Sequence, residues 1–486
     1  MPVEVWFILA VVIVTALAFD FTNGFHDTGN AMATTIATGA LRPKVAVAVS
    51  AVLNLVGAFL SIEVALTVSN KVVNIQGSDG SPVAGLMGTP ILTLVLAGLV
   101  GGILWNLATW LFGLPSSSSH ALFGGLIGAA IAALGPAGVK WNGVLVSVII
   151  PAVAAPLVAG LVAAIGTRVI FRIVASLPER QRDAGFRWGQ VGSAGLVSLA
   201  HGTNDAQKTM GVITLALIAA GTWTDLHAIP VWVKVACALA IAAGTYVGGW
   251  RVIRTLGKGL VEIVPPQGMA AQSAAAAIIL SSSHLGMALS TTHVATGSIL
   301  GSGVGRRGAT VRWRVAGRMA IAWLITLPAA AVIGALCWFL AHAIGGVAGV
   351  SVVFAVLVVA SLLMYLRSRR QRVHHDNVND VWVDGVPPAD HDDVSSKLAR
   401  LMDVIVSSAQ SLWQVVAVGL VLGAGLPALF ALGLRFWYGG SHSTGPDGVI
   451  TRAPAATVAA VACFGVVALA TLFGIVVIIF GNQLFG

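Results

Sequence analysis

Apolar stretches of about 20 residues, the length that crosses a bilayer, recur from one end of the chain to the other. Val45–Ile62, Thr89–Trp110, Val144–Gly166, Val350–Leu366, Val415–Leu434 and Ala455–Phe480 are the clearest. Between them lie short loops rich in Arg and Lys, as in the cytoplasmic loops of membrane proteins. Two further apolar segments, Val5–Leu41 and Gly268–Gly303, are too long for one ordinary span at about 1.5 Å per residue. Both carry polar residues in their interior, so broken helices or helical hairpins are predicted there. The pattern predicts an all-α polytopic membrane protein of roughly 10–13 membrane segments.

The polar interruptions repeat. Phe21-Thr22-Asn23-Gly24-Phe25-His26-Asp27-Thr28-Gly29-Asn30-Ala31-Met32 aligns with Leu199-Ala200-His201-Gly202-Thr203-Asn204-Asp205-Ala206-Gln207-Lys208-Thr209-Met210, matching Gly24 to Gly202, Asp27 to Asp205 and Met32 to Met210. Later in each half comes Ser117-Ser118-Ser119-His120 or Ser290-Thr291-Thr292-His293, each followed by a helix of small residues. Two kinds of motif in the same order point to duplication. Matching loops carry opposite charge bias. Arg42 and Lys44 follow the first Asp motif, whereas 221–230 has Asp225 and no Lys or Arg. Lys140 alone follows the first Ser/His run, whereas Arg306, Arg307, Arg312, Arg314 and Arg318 follow the second. Under the positive-inside rule the halves then form inverted-topology repeats, an architecture of secondary transporters. The expected layout is a first repeat at 1–167, a basic cytoplasmic loop at 168–187, a second repeat at 188–345, an additional span at 346–366, a polar cytoplasmic loop at 367–408 and C-terminal spans at 409–486.

Composition sharpens this picture. Only 9% of the 486 residues are charged and 57% are hydrophobic, with a mean hydropathy of +0.92, whereas a soluble domain carries about 25% charged residues. The net charge of +9 belongs to the loops and does not indicate nucleic acid. Cys237, Cys337 and Cys463 lie far apart in apolar segments and read as small core residues, without disulfide or zinc spacing. The N-terminal run has Glu4 where a signal peptide has a basic region, and is taken as a mature first span. His374, His375 and His391 in the polar stretch 367–400 read as part of a solvated linker rather than a metal-binding tail.

An ionisable residue within a span costs at least about 2.5 to 3.5 kcal/mol, so Asp27 and Asp205 are the leading candidates for function. Gly24, Gly29 and Gly202 are expected to weaken the helix beside them and turn carbonyls inward. The Ser/Thr runs read as helix starts, with Pro115 ahead of the first. A helix N-terminus binds an oxyanion through unpaired N–H groups and a partial positive charge. Two such ends, with the hydroxyls of Ser117, Ser118, Ser119, Ser290, Thr291 and Thr292, are expected to enclose a tetrahedral anion. The pairing expected is Asp27 with Ser117 and Asp205 with Ser290. His26 and His201, beside the aspartates, are candidates for proton coupling, and His120 and His293 for backbone bonding or proton movement. Lys208 stands where the first motif has Asn30; it either supplies a fixed positive charge near the anion or pairs with an Asp.

These motifs closely resemble the inorganic phosphate transporter (PiT) family, whose duplicated signature contains an Asn-Asp pair in a Gly/Ala setting. Here the copies are Gly24-Phe25-His26-Asp27-Thr28-Gly29-Asn30-Ala31 and His201-Gly202-Thr203-Asn204-Asp205-Ala206, the first departing from the pair with His26. Ser290–His293, followed by Gly297 and Ser298, also matches, and the resemblance spans about Phe19 to Gly303. The wording from His201 to Gly211 is similar to the bacterial low-affinity branch. The resemblance implies a carrier, not an enzyme, without cofactor, that imports phosphate by symport with protons, partly as a neutral complex with a divalent cation. It implies Asn204 and Lys208 at the substrate. In sodium-coupled members a Glu stands where this chain has Asn54 and again where it has Gln272; losing two hard carboxylate ligands disfavours Na⁺ and leans the reading toward protons. Expected partners are therefore phosphate, protons or alternatively Na⁺, the lipid bilayer of a bacterial cell membrane, and optionally further copies of the chain. The rivals are a sodium-coupled phosphate carrier, a carrier of another oxyanion such as sulfate, and, more distantly, an intramembrane Ser/His enzyme.

Overall fold

In the computed structural model, residues 2–62, 64–65, 72–74, 88–225, 228–285, 287–370, 372–380, 409–439, 442–444, 450–452 and 454–484 are described. The elements are helices α1 (Val3–Ala37), α2 (Pro43–Gly57), α3 (Thr89–Leu111), α4 (Ser118–Leu134), α5 (Trp141–Ile173), α6 (Glu179–Ala219), α7 (Val231–Val247) and α8 (Trp250–Gly259). They continue with α9 (Pro265–His284), α10 (Thr291–Gly305), α11 (Trp313–Ile344), α12 (Gly346–Ser368), α13 (Trp413–Gly439) and α14 (Pro454–Leu484). A short antiparallel hairpin, His442–Thr444 with Ile450–Arg452, joins the last two. Among the described residues seven helices are long and apolar enough to cross a membrane, or eight when α7 and α8, bent by 60°, count as one. The protein is a multi-pass membrane protein.

Helices start where the Ser/Thr runs predict them; the hairpin expected within 268–303 is present, and a second joins the helices either side of Pro115, whereas 5–41 holds one unbroken helix. α3 and α4 meet at Pro115–Ser117, and α9 and α10 meet at the turn before Ser290. Ser117 and Ser290 cap α4 and α10: their hydroxyls accept from the His120 and His293 backbone N–H groups at 3.2 and 3.3 Å. The two Asp motifs behave differently from expectation. α1 and α6 run unbroken through them, α1 for about 50 Å at the standard rise. Gly24 and Gly202 do not break their helices; they bring other helices close. A Cβ on Gly24 would lie 2.2 Å from the Ile241 carbonyl oxygen on α7, and one on Gly202 would lie 2.2 Å from that of Asn54 on α2. Helices in lipid associate through such small-residue contacts because apolar burial alone does not separate protein from lipid tails.

These contacts are reciprocal between the halves. α1 packs on α7 of the second half, and α6 packs on α2 of the first. Likewise α4 lies along α11 and α10 along α5. A Cβ at Gly128 would fall 1.9 Å from the Ala331 oxygen, and one at Gly301 would fall 2.0 Å from that of Gly160. His120 and His293, equivalent in the repeat, meet each other edge-on at 4.8 Å between ring centroids. Residues matched by the sequence repeat are thus in direct contact.

The basic loop expected at 168–187 is shorter than the sequence suggests: α5 continues to Ile173 and α6 begins at Glu179, so its arginines sit mostly on helix ends. Beyond α12 the chain turns back onto the bundle. Val378 is buried there, and Asn379 Nδ2 donates to the Ile36 carbonyl oxygen at 3.2 Å. His374 and His375 lie in this turn, while His391 lies outside the described residues.

Gly128→Ala forces a backbone-to-side-chain collision that only helix displacement relieves, and is expected to destabilise by about 1–3 kcal/mol. Gly317→Ala, at an exposed helical glycine with open space around it, is expected to be neutral or slightly stabilising. Thermal unfolding of the two purified variants in detergent separates these outcomes.

Candidate functional site

α1 and α6 cross inside the bundle, and each exposes its Asp motif to the opening turn of a hairpin helix. Both aspartates are buried, at 1% exposure for Asp27 and 0% for Asp205. Asp27 Oδ2 accepts from Ser118 Oγ at 2.8 Å and from Thr291 Oγ1 at 3.3 Å, and its Oδ1 accepts from Thr292 Oγ1 at 3.3 Å. Asp205 Oδ2 accepts from Thr291 Oγ1 at 2.9 Å. Thr291 therefore joins the two carboxylates into one cluster. Lys208 Nζ donates to Asp205 Oδ1, to Ser119 Oγ at 2.6 Å and to the Leu289 carbonyl oxygen at 3.2 Å. Its counterpart Asn30 donates from Nδ2 to Thr292 Oγ1 at 3.0 Å, and more distantly to Thr291 Oγ1 at 3.4 Å.

The arrangement crosses between the halves. Asp27 pairs with Ser118 and Asp205 with Thr291, each within its own half. Lys208 instead reaches Ser119 of the first half, and Asn30 reaches Thr292 of the second. The expected partners Ser117 and Ser290 are not at the carboxylates, because their hydroxyls cap their own helices. The next two residues of each run face the site instead. Of its two readings Lys208 takes the pairing with Asp205, and it also donates to the Ser119 hydroxyl.

His26 Nδ1 lies 2.7 Å from Asp27 Oδ1. His201 Nε2 lies 2.9 Å from Asp205 Oδ2 and 3.9 Å from Asp27 Oδ2, close in distance but out of line for a hydrogen bond; its Nδ1 is 3.3 Å from Asn54 Oδ1. One ligand atom from each of Asp27, His201 and Asp205 falls within 4.8 Å of the others, a spacing that suits a cation. His120 and His293 stand apart from the aspartates: His293 Nδ1 contacts the Ala152 carbonyl oxygen at 3.1 Å, and its ring lies tilted against Trp323. No serine hydroxyl is paired with either ring among the described residues, so the Ser/His runs do not form a nucleophile and base.

Three candidates lie at the margin. Asn204 donates to Ser283 Oγ at 2.8 Å on α9. Asn54 donates to Thr245 Oγ1 at 2.8 Å. Gln272 donates to the Ala31 carbonyl oxygen at 2.9 Å and to Thr35 Oγ1 at 2.6 Å, while its Oε1 accepts from Ser193. Sequence reasoning passed over Thr245, Ser283 and Ser193, whose isolated hydroxyls carry no pattern. It also passed over Asp20, although a buried acid inside an apolar run was a visible signal.

The protein is thus a polytopic helical bundle whose buried charges converge on the tips of two hairpins. A model of the phosphate transporter family matches residues 23–334. A probable low-affinity inorganic phosphate transporter of Mycobacterium bovis is 61% identical over 377 residues, covering 77% of this chain and 88% of the relative. One of the same description from Bacillus subtilis is 41% identical over 333 residues, covering 68% and 97%. The chain belongs to the phosphate transporter family, whose members are transporters and not enzymes. A solved structure, the sodium-dependent phosphate transporter, shares the fold with a TM-score of 0.56 at 20% identity, covering 70% of this chain and all of that one. Sodium dependence is a property of that protein. The segment from 335 onward lies outside the family match.

Removing the Lys208 ammonium leaves two buried carboxylates facing each other across Thr291. Lys208→Met is expected to lower stability by about 3–5 kcal/mol, and adding Asp205→Asn is expected to recover much of it. Melting temperatures of the single and double variants in detergent measure both steps.

Proposed function

We propose that this chain is a secondary active transporter that imports inorganic phosphate across the cell membrane by symport with protons. The observation that carries the reading is the convergence of two helix N-termini, α4 and α10, on Asp27, Asp205 and Lys208. The hydroxyls of Ser118, Ser119, Thr291 and Thr292 are suited to a tetrahedral oxyanion and here hold carboxylate and ammonium groups. A phosphate carrying between one and two negative charges cannot enter a dry site uncompensated. Lys208 offers one positive charge. Asp27, His201 and Asp205 offer ligands to a divalent cation travelling with the phosphate, which suits a neutral metal–phosphate complex. The swapped, glycine-tight packing of the halves supports inverted repeats at 1–167 and 188–345 that rock about the site.

The margin of the site supports protons over sodium. At Gln272 an amide N–H group points at the Ala31 and Thr35 oxygens, and at Asn54 another points at Thr245. A donor there takes the place among oxygens that a sodium ion would need, and the negative charge of a carboxylate is gone as well.

Phosphate uptake into proteoliposomes under separately imposed gradients tests this directly. A proton gradient is expected to drive accumulation and a sodium gradient is not; the reverse result makes the chain a sodium symporter. Asp27→Ala and Asp205→Ala are each expected to abolish uptake, and uptake that persists in both overturns the reading. Arsenate is expected to compete and sulfate is not, since sulfate lacks the proton that a buried acceptor binds.

A further inference from the structure

A third carboxyl group lies buried in the bundle, away from the cluster. Asp20 sits two turns before Asp27 on α1, about 10 Å along the helix axis, and its side chain is fully buried. One oxygen, Oδ1, accepts from Thr209 Oγ1 at 3.1 Å. The other, Oδ2, has no hydrogen-bond partner. The Cys237 thiol of α7 faces the group, and Phe19, Met210 and Ile241 are among the apolar residues buried around this crossing. An ionised carboxylate with a single hydroxyl donor in such surroundings costs several kcal/mol on the general scale for unpaired buried charge, and a neutral carboxylic acid costs less.

The duplication makes this position unusual. In the register that matches Asp27 to Asp205, Asp20 falls opposite Ser198. Gly57 and Gly244 match each other because they seat against the matched Leu199 and Phe21 carbonyl oxygens, and in that register Cys237 falls opposite Ser50. Ser50 and Ser198 meet as a neutral hydroxyl pair at 2.9 Å. The same crossing is therefore built twice, once from two serines and once from an acid and a thiol. Packing alone is met by the serine version, so the acid needs another explanation.

We propose that Asp20 is the proton-carrying group of the transporter, distinct from the cluster that holds the substrate. The inference rests on the proton-coupled reading above. Asp20 belongs to the first half, while Thr209 and Cys237 belong to the second, so movement of one half against the other changes what the carboxyl touches. In the closed crossing it holds a proton. When the halves separate and water reaches Oδ2, the O–H bond breaks, the proton passes to water and the carboxylate remains, hydrated and bonded to a donor. A proton affinity that differs between the two conformations is what couples proton flow to their interchange. The charged and titratable groups within range are Cys237 on α7 and Asp205, His201 and Lys208 on α6; α3, also packed on α1, carries no titratable side chain.

The test uses the full chain in proteoliposomes with radiolabelled phosphate. Two assays run side by side: accumulation driven by an imposed proton gradient, and counterflow between phosphate pools at equal pH. Asp20→Asn is expected to lose accumulation while counterflow continues, and Asp20→Glu is expected to restore accumulation. Accumulation by Asp20→Asn as in the parent overturns the proposal and leaves proton coupling intact. A parent protein driven by sodium instead overturns both. Thr209→Val provides a readout that does not depend on the Asn variant folding. Losing the one donor to the carboxylate is expected to move the pH midpoint of proton-driven uptake upward by about one unit, and an unmoved midpoint counts against Asp20.

Discussion

Charge enclosed in an apolar bundle governs this structure. Asp27, Asp205 and Lys208 are nearly inaccessible to solvent, in segments that otherwise favour lipid or packed side chains. A group of that kind persists only where neighbours supply hydrogen bonds and opposite charge. Every element around the site answers that demand. α4 and α10 bring their N-terminal turns with a hydroxyl at each of the first positions, α6 brings Lys208 to both Asp205 and Ser119, and Thr291 bridges the carboxylates. The helix caps at Ser117 and Ser290 belong to the same arrangement, because they aim the following two side chains inward.

Such an arrangement needs helices that approach closely, and glycine supplies the approach. Gly24 and Gly202 lie within a turn of the aspartates and seat α1 on α7 and α6 on α2. Gly128 and Gly301 do the same for the hairpin helices against α11 and α5. Because each contact joins one half to the other, the two halves build the site together.

The fold class and the burial of the repeated polar motifs were legible in the sequence because both rest on local rules. Apolar run length and charge scarcity state the membrane, and the repeated Asp and Ser/Thr motifs state where polarity is buried. The helix starts at Ser117 and Ser290 followed from capping chemistry. The unbroken course of α1 and α6 was not legible: a glycine that weakens a helix and a glycine that admits a neighbour look alike until the neighbour is in place. Nor was the pairing of Asp27 with Ser118 rather than Ser117, which depends on which of three adjacent hydroxyls is spent on the cap.

By itself the sequence determined an all-helical membrane protein with a duplicated set of buried polar groups, since these depend on composition, run length and motif order. Tertiary structure alone decided that both aspartates share one cluster, that Lys208 of one half reaches Ser119 of the other, and that Asn54 and Gln272 point amide donors at oxygen atoms. It also set Asp20 against Thr209 and Cys237, opposite a plain serine pair. The physical reason is the same in each case. These contacts join residues far apart in the chain, and only the packing of one half into the other brings them within hydrogen-bonding distance.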